Sequence, residues 1–184
     1  MQTPSRRSIL WILLIAAVCL ILLTVGLEAG VTKANSFGAD FLIYWQAGRA
    51  LFLDGTNPYS DSTTELIELG IYGHLAYADQ DQLRYAYPPF SLLVVLPTSF
   101  MNYPWAQAYW MAFNILLIFL AIALIWKRQS LWVLIGLLFF YPVSRGIIMG
   151  QFALMIGAVL IIAYKLPQVD GRREKLFQFI AGIL

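Results

Sequence analysis

Asp40 is the residue in this chain best placed to act as a base. It opens an apolar stretch, with Phe37, Phe41 and Tyr44 around it, so its carboxylate meets fewer waters than it would on an open loop. A carboxylate in that position can cap a helix or take a proton from a hydroxyl within hydrogen-bond reach, and the residue types leave both readings open. Arg145 is the second candidate. It lies between two apolar runs, outside any basic cluster, and a guanidinium at membrane depth is costly unless it meets water or a partner. It either snorkels to the surface or clamps a phosphate, whose oxygens match the guanidinium fork. Arg84 and His74 are weaker candidates for the same phosphate-binding role. Asp54, Asp61, Glu65, Glu68, Asp79 and Asp81 read as solvated acids. No Asp/Glu/His cluster has ligand spacing and no glycine-rich phosphate loop occurs, so neither a metal ion nor a cofactor is expected. Cys19, the single cysteine, reads as a small buried hydrophobe that can make no intrachain disulfide.

The elements that must position these groups are membrane helices. Of the 184 residues, 60% are hydrophobic and only 12% charged, against about 25% charged in soluble domains. Aromatics make up 15%, many of them Trp and Tyr beside apolar runs, as in rings anchored at the headgroup level. No basic cluster is interleaved with aromatics, so nucleic acid is not an expected partner. The run 9–27 follows Arg6 and Arg7, is too long for a signal-peptide core, and predicts an uncleaved transmembrane helix. A second span is expected over 103–126. Between them, 89–101 is apolar but short and broken by prolines, which predicts an interfacial or re-entrant helix. The apolar stretch 130–164 is interrupted around 141–146, so two helices are expected to cross there, the first over about 131–141. Arg145 and Gln151 would then edge a water-filled recess. A last apolar run, 176–184, is shorter than a span, and the chain is expected to be one membrane domain forming the N-terminal part of a longer protein, inactive without the rest of it.

Charge orients these spans. Arg6, Arg7, Lys127, Arg128, Lys165, Arg172, Arg173 and Lys175 lie in the tail or in short connections, whereas 28–87 holds most of the acids. The positive-inside rule puts the basic segments in the cytoplasm and 28–87 outside. That outer loop has helical periodicity. Phe41, Tyr44, Trp45, Gly48, Leu51 and Phe52 predict a helix from Asp40 lying on the membrane, with Phe41, Trp45 and Phe52 in lipid. A turn over 54–59 stops it, and Ser62 with Glu65 has capping-box spacing for a second short helix.

Taken together, Asp40-Phe41-x-x-Tyr44-x-x-Ala47-Gly48-Arg49-Ala50-Leu51, Gly55-x-x-Pro58-Tyr59, Tyr87-Pro88-Pro89-Phe90 and Gly150-Gln151 resemble glycosyltransferase family 87 in order and spacing. The family often carries Asn two residues after the last motif, where this chain has Ala153. The resemblance implies an all-α integral membrane protein of the C-type glycosyltransferase fold, crossing the plasma membrane several times. It also implies an inverting transferase, mannosyl or a related glycosyl, that works outside the cytoplasm. The donor would be a polyprenyl-phosphate sugar and the acceptor a glycolipid or glycan. Asp40 would be the catalytic base, and Tyr44, His74, Arg84, Tyr87, Arg145 and Gln151 the candidate substrate-binding residues. The competing reading is a transporter or accessory membrane subunit without catalysis. It is disfavoured because a transporter built of repeats has small outer loops and a repeated half, and this chain has neither.

Overall fold

The computed structural model describes residues 6–34, 38–125, 135–136 and 139–165, and all regular structure among them is helical. Phe37, the basic residues Lys127, Arg128, Arg172, Arg173 and Lys175, most of the expected helix 131–141 and the run 176–184 lie outside the described residues. Helix α1, Arg6–Leu27, runs on through a π-helical turn, Glu28–Thr32, so the apolar span reaches Thr32 rather than ending at Leu27. Only 6% of that span is buried in protein, which leaves most of its side chains for lipid. Cys19 is on this outer surface, exposed and not buried as expected. A second long apolar helix, α5 (Tyr103–Ile125), packs along α1. Thr32 Oγ1 donates to the Pro104 carbonyl at 2.8 Å and ties the end of α1 to the start of α5. The segment between these helices therefore leaves and re-enters the bundle on one side.

That segment folds into a cap of short helices: α2 (Ala39–Phe52), α3 (Asp61–Tyr72) and α4 (Leu92–Ser99), with a 3-10 turn, Pro89–Ser91, leading into α4. The cap of α3 is Ser60, whose hydroxyl accepts from the Thr63 amide at 3.3 Å, not Ser62 as its spacing with Glu65 predicts. Helix α2 does not present its apolar face to lipid. Phe41 is fully buried and stacks 5.3 Å from Trp110, and Trp45 and Phe52 pack against the same cluster. Helices α4 and α5 supply a protein surface for that face, and a ring buried there escapes water as fully as it would in lipid. The Trp45 indole donates to the Thr98 and Met101 carbonyls at 3.1 and 3.2 Å, satisfying backbone groups at the end of α4.

The last two described helices are α6 (Tyr141–Met149) and α7 (Phe152–Lys165), bent by 114° where they meet. The interruption expected at 141–146 is instead the first turn of α6. Pro142 occupies an initial helix position, where its missing N–H costs nothing. The true break is at Gly150, which has left-handed backbone, φ 76°. A Cβ there would collide with Phe41 Cβ and lie 3.2 Å from Trp110 Cδ1.

Gly150→Ala should therefore lose stability twice, through a left-handed φ for a residue with a Cβ and through the collision. The conformational part alone is about 1–3 kcal/mol. Gly157→Ala, in α7 with open space around its Cβ, should be neutral or stabilising. Thermal unfolding of both variants in detergent checks this, and an unchanged Tm for Gly150→Ala would contradict the packing described.

Candidate active site

The site is built where α2 begins and α6 ends. Gly38, not Asp40, is the N-cap of α2, with φ 81°. A Cβ on Gly38 would meet the Ile148 carbonyl oxygen at 3.1 Å and that of Met149 at 3.5 Å. The start of α2 and the α6–α7 break thus sit against each other. Helix α5 holds both: Tyr103 Oη donates to the Gly38 carbonyl at 2.9 Å, and Trp110 Nε1 donates to the Gly150 carbonyl at 2.8 Å. These two donors are seven residues apart on α5, two turns along one face. The two left-handed glycines are thereby clamped to one rigid rod.

Asp40 falls in the first turn of α2, half-buried, at the positive end of the helix dipole. Tyr44, one turn on, shares its face and lies close enough to feel its charge. The Tyr44 ring is 2% exposed, 4.2 Å from Phe152 and edge-on to Tyr87 at 4.9 Å. Its hydroxyl donates to Tyr87 Oη at 2.9 Å, and the Phe152 backbone bonds to the same group. Burial, and then the bond to Tyr87, push the Tyr44 hydroxyl far above the ordinary phenol range, and the pull of the Phe152 backbone in the other direction is outweighed.

The wall continues outward from Tyr87. Tyr85, 3% exposed, bonds to Ser91 Oγ, and burial pushes its hydroxyl up to about 12 although the Ser91 bond opposes this. Tyr59 Oη donates to the Tyr87 carbonyl at 2.6 Å, so the Pro58-Tyr59 turn braces the Tyr87-Pro88-Pro89 segment. Gln151 is exposed at the break itself. Tyr44, Tyr87 and Phe152 are therefore in contact although distant in sequence, with Asp40 one turn before Tyr44 on α2 and Gln151 next to Phe152 in the chain.

The other candidates lie elsewhere. Arg145 is exposed and lines a cleft of about 270 Å³ with Gly38, Ala39, Leu42, Ile71 and Ile148. Ala39 and Leu42 are on a different face of α2 from Asp40 and Tyr44, so Arg145 opens on the neighbouring side of the same helix start. Among the described residues it makes no ion pair or hydrogen bond. Arg84 pairs with Asp61 at 3.2 Å, with side chains 61% and 81% exposed, a contact of little energetic weight. His74 stacks between Tyr72 and Tyr77. Phe152, Tyr85, Tyr103 and Trp110 were not singled out in the sequence, where they are aromatics like many others in or beside apolar runs. Only the glycine following an apolar helical pattern at 150 marks the place they surround.

A helical membrane protein whose cap of short helices brings phenols, with a carboxylate one turn away, against a sharp helix break has the makings of an enzyme working at the bilayer surface. The sequence profile of glycosyltransferase family 87 matches residues 85–184, over half of the chain, and the chain belongs to that family. It is accordingly a membrane glycosyltransferase. The match includes Tyr87, Arg145 and Gln151 and begins after Asp40 and Tyr44. No curated protein and no solved structure matches the chain.

The phenol shifts have a consequence for stability. Unfolded tyrosines ionise near pH 10.0, whereas buried Tyr44 and Tyr85 keep their protons to higher pH. Their contribution is complete below about pH 10 and is lost as pH rises from there toward their folded values. Tm in detergent should fall more steeply above about pH 10 for the unsubstituted chain than for Tyr85→Phe. Identical slopes would mean that Tyr85 is not held neutral by burial.

Proposed function

We propose that the chain transfers a glycosyl group, mannosyl or a related sugar, from a polyprenyl-phosphate donor to a glycolipid or glycan hydroxyl, with inversion and with Asp40 as the base. What supports the reading is the contact of Tyr44, one turn from Asp40, with Tyr87, and of Phe41 with Gly150, which joins motifs upstream of the family match to motifs within it. In the reaction the acceptor oxygen attacks the anomeric carbon and its proton passes to the Asp40 carboxylate. The bond from that carbon to the phosphate oxygen breaks, and the electron pair leaves with the phosphate. A base must lie within hydrogen-bond reach of the hydroxyl, and positive or N–H groups must face the departing oxyanion. Arg145, around the first turn of α2 from Asp40, is the charged group available for the phosphate, and the apolar walls of its cleft suit the lipid that carries it.

The charge asymmetry of the sequence supports an extracytoplasmic site in the plasma membrane. The single side on which 33–102 leaves and re-enters the bundle agrees with that reading. Neither a metal nor a cofactor has a part in these steps. Outside this neighbourhood, Arg84 and His74 are assigned no role in the chemistry.

Asp40→Asn in the full chain is the direct test. Because Gly38 caps α2, the change removes the proton acceptor and a dipole interaction of about 0.3–1 kcal/mol, and nothing that the helix needs to form. Transfer from a polyprenyl-phosphate donor should fall about 10²–10⁴-fold with donor binding and Tm nearly unchanged. Near-normal transfer by this variant would remove Asp40 from the mechanism.

A further inference from the structure

The mechanism leaves His74 unused, yet the loop that carries it is built with care. His74 lies 4.5 Å from the Tyr77 ring with planes 29° apart, and 5.9 Å from the Tyr72 ring with planes 21° apart, so three rings stand in a stack. The loop is braced from below. The carboxylate of buried Glu68 accepts the Ala76 amide at 2.9 Å, Tyr77 N–H donates to Gln80 Oε1 at 3.0 Å, and Tyr72 Oη donates to the Asp81 carbonyl at 3.1 Å. Tyr77 is 62% and Leu75 49% exposed, Tyr72 and His74 are half-buried, and none of the three rings belongs to either buried cluster. A hydrogen-bonded loop that holds the Tyr77 ring in water presents a surface for something else.

We propose that the Tyr72–His74–Tyr77 stack is a docking platform for a neutral glycan, holding the acceptor chain outside the reacting site. The proposal rests on the reading of the chain as a transferase to a glycan. A pyranose ring has an apolar C–H face and a polar edge, and an exposed phenol ring with polar groups around it complements both. The polar groups here are Asp79, Gln80, Asp81 and Gln82, which can exchange hydrogen bonds with sugar hydroxyls. Charge separates this occupant from a lipid headgroup layer. Residues 72–83 include two carboxylates and no Lys or Arg, a charge balance that disfavours phosphate-bearing surfaces.

The test reads binding without transfer. The full chain in nanodiscs is mixed with a neutral hexose hexasaccharide, and contact is followed by saturation transfer from protein to sugar. Contact is expected with the unsubstituted chain and with Asp40→Asn, and weakened about tenfold in the double variant His74→Ala/Tyr77→Ala, as for loss of an anchoring aromatic. Both side chains lie outside the buried clusters, and an unchanged Tm certifies the fold of the variant. No contact with the unsubstituted chain, or equal contact with the double variant, overturns the platform. So does relaxation of the Tyr77 ring by a paramagnetic headgroup lipid, which would place the stack in the membrane surface. Absence of transfer by an otherwise sugar-binding chain would instead count against the catalytic reading alone.

Discussion

No side chain fits between Gly150 and Phe41, and the rest of the site depends on that contact. Because the backbone of the α6–α7 break comes down onto the first turn of α2, the start of that helix and the start of α7 meet. The contact is not left to packing alone. Trp110 donates to the Gly150 carbonyl and Tyr103 to the Gly38 carbonyl, so each left-handed glycine, both of them buried, is held through its carbonyl by the same helix. Irregular backbone near a bilayer is tolerated where protein or water satisfies it, and here α5 does so.

The electrostatics of the junction follow from its geometry. Two helix starts, those of α2 and α7, lie beside one break, and their dipoles give the place a positive character suited to anions. Asp40 sits in the first of these turns, and Tyr44 keeps its proton because burial disfavours the phenolate. The Tyr44 hydroxyl links α2, the segment before Pro88 and the first residue of α7. A buried neutral donor of this kind orders the polar wall without adding a second charge beside Asp40.

Much of this was legible in the residues. Two long apolar spans, a short proline-broken helix, the amphipathic stretch from Asp40 and the motifs of glycosyltransferase family 87 were all readable, because each rests on local periodicity or spacing. What was not legible depends on partners far along the chain. Phe41 and Trp45 looked like lipid anchors because nothing local could cover them, whereas α4 and α5, more than forty residues on, do so. The stretch 141–146 looked like an interruption because it is less apolar than what surrounds it. It begins a helix with Pro142 in an initial position, and the break is at the glycine packed against Phe41 and Trp110. Nor do residue types show what Arg84 and His74 touch, which is Asp61 for the one and two tyrosines for the other.

The central claim is that the Tyr44–Tyr87 bond joins the two halves of the site into one unit, and a double-mutant cycle on transfer rate tests it most directly. Tyr44→Phe, Tyr87→Phe and the double variant would be compared in the full chain with a polyprenyl-phosphate sugar donor. If the hydroxyls act as a unit, the double variant should be little worse than the poorer single one, a coupling of about 0.5–3 kcal/mol. Losses that simply add, within about 0.3–0.5 kcal/mol, would contradict the account.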